Sequence, residues 1–262
     1  MKDWDRKPGF DLTGKKALVV GCGNPAGRAI ALAFAEAGAD VAVASATLDG
    51  DEVMEAKRIA KEVAKLGRGT FSQGWDVTLP GNIQVSLKQL IKEFGHPSIL
   101  VFNADDSLAK PITKVTDSEF GHAINVNTGG AFYASRSFVR ELPADSGGRI
   151  ILVSSLFGER GIAGFTAYGA TKSGLHGLMA NLCQELGPRG VTVNCIETGW
   201  MEWTPGRGPA EIGQNRLLRF IPMKRFGTAA DLAGLALLLA GDSAGYLNGQ
   251  VFHVDGGVSG HL

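Results

Sequence analysis

Short, largely apolar runs alternating with stretches of helical period constrain this chain more than any other feature. The runs at 16–21, 40–45, 98–102, 149–154, 191–196 and 250–254 read as strands, with 70–74 as a weaker seventh. Helical periodicity occupies about 26–37, 51–66, 82–94, 117–142, 166–187 and 229–240. A strand with one wet face alternates apolar and polar residues; these do not, so both faces must be covered. Strands separated by helices predict an α/β fold: a Rossmann-type, doubly wound parallel sheet of about seven strands with helices on both faces. Asp117-Ser118-Glu119 supplies N-cap chemistry for the fourth helix, and Thr228 or Ala229 followed by Asp231 starts the last.

No repeat, low-complexity tract or linker divides the chain, so residues 1–262 are read as one domain. A chain of this size buries roughly three quarters of its unfolded surface, ample for a core. The 26 basic and 26 acidic residues cancel and are scattered, giving no electrostatic reason to bind nucleic acid or an anionic membrane. Cys22, Cys183 and Cys195 are odd in number with no Cys-x-x-Cys pair, so neither a disulfide framework nor a metal site is expected. The first ten residues lack a signal peptide's apolar run, and no stretch reaches the roughly 18 apolar residues of a membrane span. The expectation is a soluble cytoplasmic protein.

Two motifs carry chemistry. The first strand ends in Gly21-Cys22-Gly23-Asn24-Pro25-Ala26-Gly27, and a helix follows at once. Such a turn lets backbone N–H groups approach a pyrophosphate at the positive end of a helix, with Gly27 allowing close helix–strand packing; glycines also occur at such turns for structural reasons alone. The second motif is Ser155 at the end of the fifth strand, Tyr168 thirteen positions on, and Lys172 four beyond that. Positions i and i+4 share a helix face, so Tyr168 and Lys172 point the same way. A phenol titrates near 10, too high for a base at neutral pH; a neighbouring ammonium is expected to lower that value.

These motifs resemble those of the short-chain dehydrogenase/reductase family, and the likeness runs from about Leu12 to Gly257. The resemblance implies NAD(P)(H)-dependent exchange of hydride between a ketone or aldehyde and an alcohol. It implies a catalytic tetrad of Asn127, Ser155, Tyr168 and Lys172, with Asn127 28 residues before Ser155. Tyr168 would be the general acid/base, Ser155 would hydrogen-bond the substrate oxygen, and Lys172 would also hold the nicotinamide ribose. Cofactor contacts would come from Gly21, Gly23, Asn24, Ala26 and Gly27 in the first turn and Ser45 after the second strand. Asp76, Val77, Asn103, Ala104, Gly199 and Met201 would join them.

The cofactor half departs from the family pattern. Val20 replaces a Thr, Pro25 and Asp105 replace glycines, Thr198 replaces a Pro, and Trp203 takes a Thr position. No carboxylate ends the second strand, where Ser45-Ala46-Thr47 stands, so NADP(H) is weakly favoured over NAD(H), with Arg28 a candidate phosphate partner. Residues about 199–226 would form a substrate lid. Trp200, Trp203 and Met223 within it suggest an apolar or ring-containing small-molecule carbonyl or alcohol, although core or subunit contacts fit them as well. The family's habit implies a homotetramer or homodimer through the helices at 117–142 and 166–187. The alternatives are a degenerate member of the fold that binds a ligand or partner without redox turnover, and a non-redox enzyme on the same fold.

Overall fold

The computed structural model describes residues 9–144, 146–204 and 216–260. Its strands are β1 (Lys16–Val20), β2 (Asp40–Ala44), β3 (Thr70–Gln73), β4 (Ile99–Phe102), β5 (Gly148–Ser155), β6 (Val191–Thr198) and β7 (Val251–Val254). They form one sheet in the order β3-β2-β1-β4-β5-β6-β7, with every neighbouring pair parallel. The helices are α1 (Pro25–Glu36), α2 (Gly50–Lys65), α3 (Pro80–Phe94), α4 (Asp117–Ala123), α5 (Gly130–Glu141), α6 (Thr166–Leu186) and α7 (Ala229–Ala240). The expected doubly wound fold is therefore present.

Burial explains the apolar runs. Strands β1, β2, β4, β5 and β6 are buried almost end to end, while β3 and β7 lie at the sheet edges and are mostly half-buried. Successive residues of a strand serve opposite faces. Val19, Val41 and Ile151 pack under Ile30 and Phe34 of α1 and Leu239 of α7, while Leu18, Leu100 and Leu152 pack under α3, α5 and α6. Among the described residues no helix is long and apolar enough to cross a membrane.

The helix expected over 117–142 is interrupted. Residues Ile124–Gly129, between α4 and α5, wind as a π-helix that carries Asn127. Its cap also lies one residue earlier than expected: Thr116 accepts from the Glu119 N–H, and Glu119 returns the contact in a capping box. Thr228 caps α7 in the same way with Asp231. Of the lid at 199–226, residues 205–215, including Arg207 and the Pro205 to Pro209 island, lie outside the described residues. Met201 closes the described part by a bridge to Gly227.

At the carboxyl edge of the sheet, β1 feeds one neighbour and β4 the other. This switch point is where open α/β sheets form their ligand crevice. Gly21 makes the close approach there possible: its φ is +91°, and a Cβ would stand 2.4 Å from the backbone nitrogen of Ala104.

Candidate active site

Strand β5 delivers Ser155 to this edge, and the first turns of α6 deliver Tyr168 and Lys172. All three line a crevice with Asn24, Asn103 and Trp203. Tyr168 is packed edge-to-face against Phe157 and Phe165, and Trp200 stacks on the same two rings. That packing fixes the phenol with only its hydroxyl presented. Lys172 is 2 % exposed, with Nζ 3.3 Å from the carbonyl oxygen of Val153 and 5.5 Å from the centre of the Tyr168 ring.

Between them stands Asp105. Its Oδ1 accepts from the Tyr168 hydroxyl at 2.8 Å and lies 2.8 Å from Lys172 Nζ, while Oδ2 accepts from the Ser107 hydroxyl. One oxygen thus occupies the hydrogen-bonding capacity of both groups that faces the crevice. The room left in the crevice is about 20 Å³, enough for little more than one water. Asp105 replaces a glycine of the family pattern without backbone strain, since Lys224 alone among the described non-glycine residues has a positive φ.

The electrostatics overturn one expectation. Burial and the Asp105 carboxylate push the Tyr168 phenol well above its ordinary value, in place of the lowering expected from Lys172. Burial works to raise Asp105 as well, but the Lys172 ammonium and the hydrogen bonds from Lys172, Ser107 and Tyr168 outweigh it and hold that carboxyl below its usual range. Tyr168 is therefore held as a neutral phenol whose hydroxyl hydrogen bond goes to Asp105.

Asn127 is fully buried. Its amide brackets Asp106, accepting from the N–H at 2.8 Å and donating to the carbonyl at 3.1 Å, and donates to Thr171 Oγ1 at 2.9 Å. Its side chain therefore positions the Asp105–Asp106 loop against α6. Asn103 donates to the Gly21 carbonyl at 2.9 Å and to Asn24 Oδ1 at 3.1 Å; its own Oδ1 is buried without a partner.

A larger cleft of about 430 Å³ runs from Ala46, Thr47 and Glu52 past Gly21, Gly23 and Asn24 to Asn103 and Ala104. Pro25, an apparent defect in the sequence, sits in the first turn of α1, where its missing N–H would have no intrahelical partner anyway. The Ala26 N–H is already capped by Asn24 Oδ1 at 3.0 Å. The residues thus fit an extended nucleotide along the cleft, whereas Asp105 fills the catalytic end.

Several expected contacts turn inward. Ser45 is buried, its hydroxyl donating to the Thr47 carbonyl and accepting from the Trp75 N–H. Asp76 caps the N–H and hydroxyl of Thr78, and Val77 is buried against the site of Gly130. Gly199 packs on Asp255, and Met201 is buried with its sulfur against Gly227. Of the three substrate-pocket candidates, Trp203 lines both cavities, whereas Trp200 lies in the aromatic stack and Met223 is exposed at a separate cavity. Arg28 pairs with Glu62 at 2.5 Å.

Sequence reading missed Glu52. From the first turn of α2 it accepts from Ala46 N at 2.8 Å, Thr47 N at 3.0 Å and Thr47 Oγ1 at 2.7 Å. The end of the second strand therefore does carry a carboxylate, supplied five residues later in the chain. The acidic run Asp49-Gly50-Asp51-Glu52 at a helix start was the available signal.

Comparison with known proteins agrees with this geometry. Residues 23–259 match a family model described as Enoyl-(Acyl carrier protein) reductase. The chain is 33 % identical over 249 residues to 3-oxoacyl-(acyl-carrier-protein) reductase FabG of Salmonella typhimurium, covering 95 % of this chain and 99 % of that one. A solved putative short-chain alcohol dehydrogenase from Sinorhizobium meliloti 1021 superposes with a TM-score of 0.90 at 33 % identity, over 97 % of this chain and 99 % of that one. A blue fluorescent protein from a metagenomic library, solved in complex with NADPH, gives 0.87 at 30 % identity over 95 % and 99 %. The chain belongs to the short-chain dehydrogenase/reductase family.

Proposed function

We propose that this protein is a nicotinamide-dependent oxidoreductase that interconverts a small-molecule carbonyl and an alcohol. The observation that carries this is the convergence of Ser155, the Tyr168 hydroxyl and Lys172 Nζ on one crevice at the carboxyl edge of the sheet, with Asp105 Oδ1 now holding the last two. When bound, the cofactor supplies or accepts the hydride. Ser155 hydrogen-bonds the carbonyl oxygen, Tyr168 donates the proton that the developing alkoxide needs, and Lys172 orients the ribose hydroxyls and stabilises the phenolate left behind. The spacing of four between Tyr168 and Lys172 favours carbonyl chemistry, because enoyl reductases of the family usually space the pair more widely.

For the cofactor form, NADPH in the solved relative supports the expectation of NADP(H). Glu52 argues the other way, and more directly. A ribose 2′-hydroxyl can donate to its carboxylate, whereas a 2′-phosphate would compete for the same three donors and meet like charge, with Asp49, Asp51 and Glu55 also lining the adjoining pocket. NAD(H) is our reading. Glu52→Gln is expected to shift the ratio of NADPH to NADH affinity toward NADPH by about tenfold, since like-charge juxtaposition costs several kcal/mol; an unchanged ratio removes Glu52 from cofactor selection.

Trp203 and the aromatic stack beneath the crevice support an apolar or ring-containing substrate. The outer face of α4 and α5 leaves Phe120 and Phe132 exposed, with Ile124 between them, which supports a homotetramer or homodimer through that face. On α6, Gly169 and Gly174 pack inward on Phe157 and Thr128, while Ala170, Gly177 and Ala180 are exposed small residues that suit such a contact. The direct test is cofactor-coupled reduction of a panel of bulky ketones by the wild type and by Asp105→Gly. Turnover in either supports the reading. Silence in both, with cofactor bound, favours the second reading, a ligand-binding member without turnover, for which the filled crevice is the specific observation.

A further inference from the structure

A second cluster lies outside the catalytic crevice. Register places Ser154, Glu197 and His253 side by side on β5, β6 and β7. Adjacent strands are about 4.8 Å apart, so side chains at one level of one face converge. The turn after β5 brings Glu159 over them, and α6 brings His176. His253 Nε2 stands 2.7 Å from Glu159 Oε2 and 3.0 Å from Glu197 Oε2, and His176 Nε2 lies 4.0 Å from Glu197 Oε2 and 3.2 Å from Ser154 Oγ. One ligand atom from each of Glu159, Glu197 and His253 falls within 4.8 Å of the others.

Glu197 makes this more than a surface acidic cluster. It is fully buried, and neither of its oxygens receives a hydrogen bond. A carboxylate in that state is costly unless a cation answers it. His253 offers at most one Nε2 proton to two carboxylates, so without a cation one carboxyl must keep its own proton to satisfy the pair. The nearest thiol, Cys195, turns to the Leu175 carbonyl at 3.8 Å and is no ligand.

We propose that Glu159, Glu197 and His253 form a structural site for a divalent transition cation of the zinc class, with water as the fourth ligand. Two carboxylates cancel the dipositive charge, and the imidazole nitrogen selects zinc-like ions over magnesium or calcium. Zinc ligand atoms lie about 2.0–2.2 Å from the metal, hence roughly 3.4 Å apart in a tetrahedron. The observed 2.7 and 3.0 Å separations open by a few tenths of an ångström to admit it. The bound ion would clamp the turn after β5 to the edge strand β7. The site is independent of the redox reading and stands or falls separately.

The test is calorimetric titration of untagged, chelator-treated full-length protein with Zn²⁺, repeated with Co²⁺ to read coordination from the visible absorption. The expected result is one Zn²⁺ per chain, a tetrahedral cobalt spectrum, and affinity weakened by at least about 100-fold in Glu197→Gln, given that even outer-shell partners cost 10–100-fold. Glu159→Ala, at a partly exposed position, removes a ligand without touching the core and should weaken binding too. No zinc uptake by the wild type, or uptake unchanged in Glu197→Gln and Glu159→Ala, overturns the proposal.

Discussion

Tyr168→Phe is expected to lower kcat by about 10²–10⁴-fold, the usual worth of a positioned general acid, while leaving the cofactor dissociation constant within about twofold. The substitution is clean because the ring packs against Phe157 and Phe165, and a phenylalanine fills the same hole. Only the hydroxyl is lost, and Asp105 keeps both Lys172 and Ser107. Steady-state kinetics of ketone reduction by the reduced cofactor, and a cofactor titration, check the two halves separately. Undiminished kcat would remove Tyr168 from its role; lost cofactor binding would show that the hydroxyl holds the nucleotide rather than the proton.

Asp105→Gly is expected to have the opposite sign on function and a cost in stability. Removing the side chain opens the catalytic end of the crevice, and we expect cofactor affinity to rise about tenfold, worth about 1.4 kcal/mol. Removing the charge leaves Lys172 alone beside the phenol, so the Tyr168 value falls. In the alcohol-oxidising direction, activity grows as the phenolate forms with rising pH. The rising, acid-side limb of that profile should therefore move to lower pH by about one unit or more. Asp105→Asn separates the two effects: it keeps the volume, so it should move the limb without the gain in affinity. Breaking the buried pair of Asp105 with Lys172 should destabilise the fold by about 3–5 kcal/mol, read as a lower melting temperature. An unmoved limb in both variants would show that Asp105 does not govern Tyr168.

Much of the architecture was legible because local composition and final burial coincide. The five inner strands read as largely apolar runs since both their faces are covered, and 70–74 read weakly since β3 is an edge strand. The π-helical turn at Asn127 was not legible: no residue in Ile124–Gly129 breaks helical period, and the widening belongs to backbone geometry.

The site divides along the same line. Ser155, Tyr168 and Lys172 announced themselves by spacing, because a strand end and one helix face bring them together. Asp105 was visible as a departure from pattern, but not that its carboxylate would reach α6, some 63 residues on, and reverse the expected shift at Tyr168. Glu52, Glu197 and His253 escaped for a related reason. Their partners are assembled by strand register and by a helix folding back, neither of which sequence spacing encodes.

The central claim is that the cleft holds a nicotinamide dinucleotide, and direct titration of the purified protein with NADH and NADPH tests it. The account predicts saturable binding in the micromolar range, with NADH held more tightly than NADPH. No binding of either nucleotide, reduced or oxidised, by the wild type and by Asp105→Gly would contradict it.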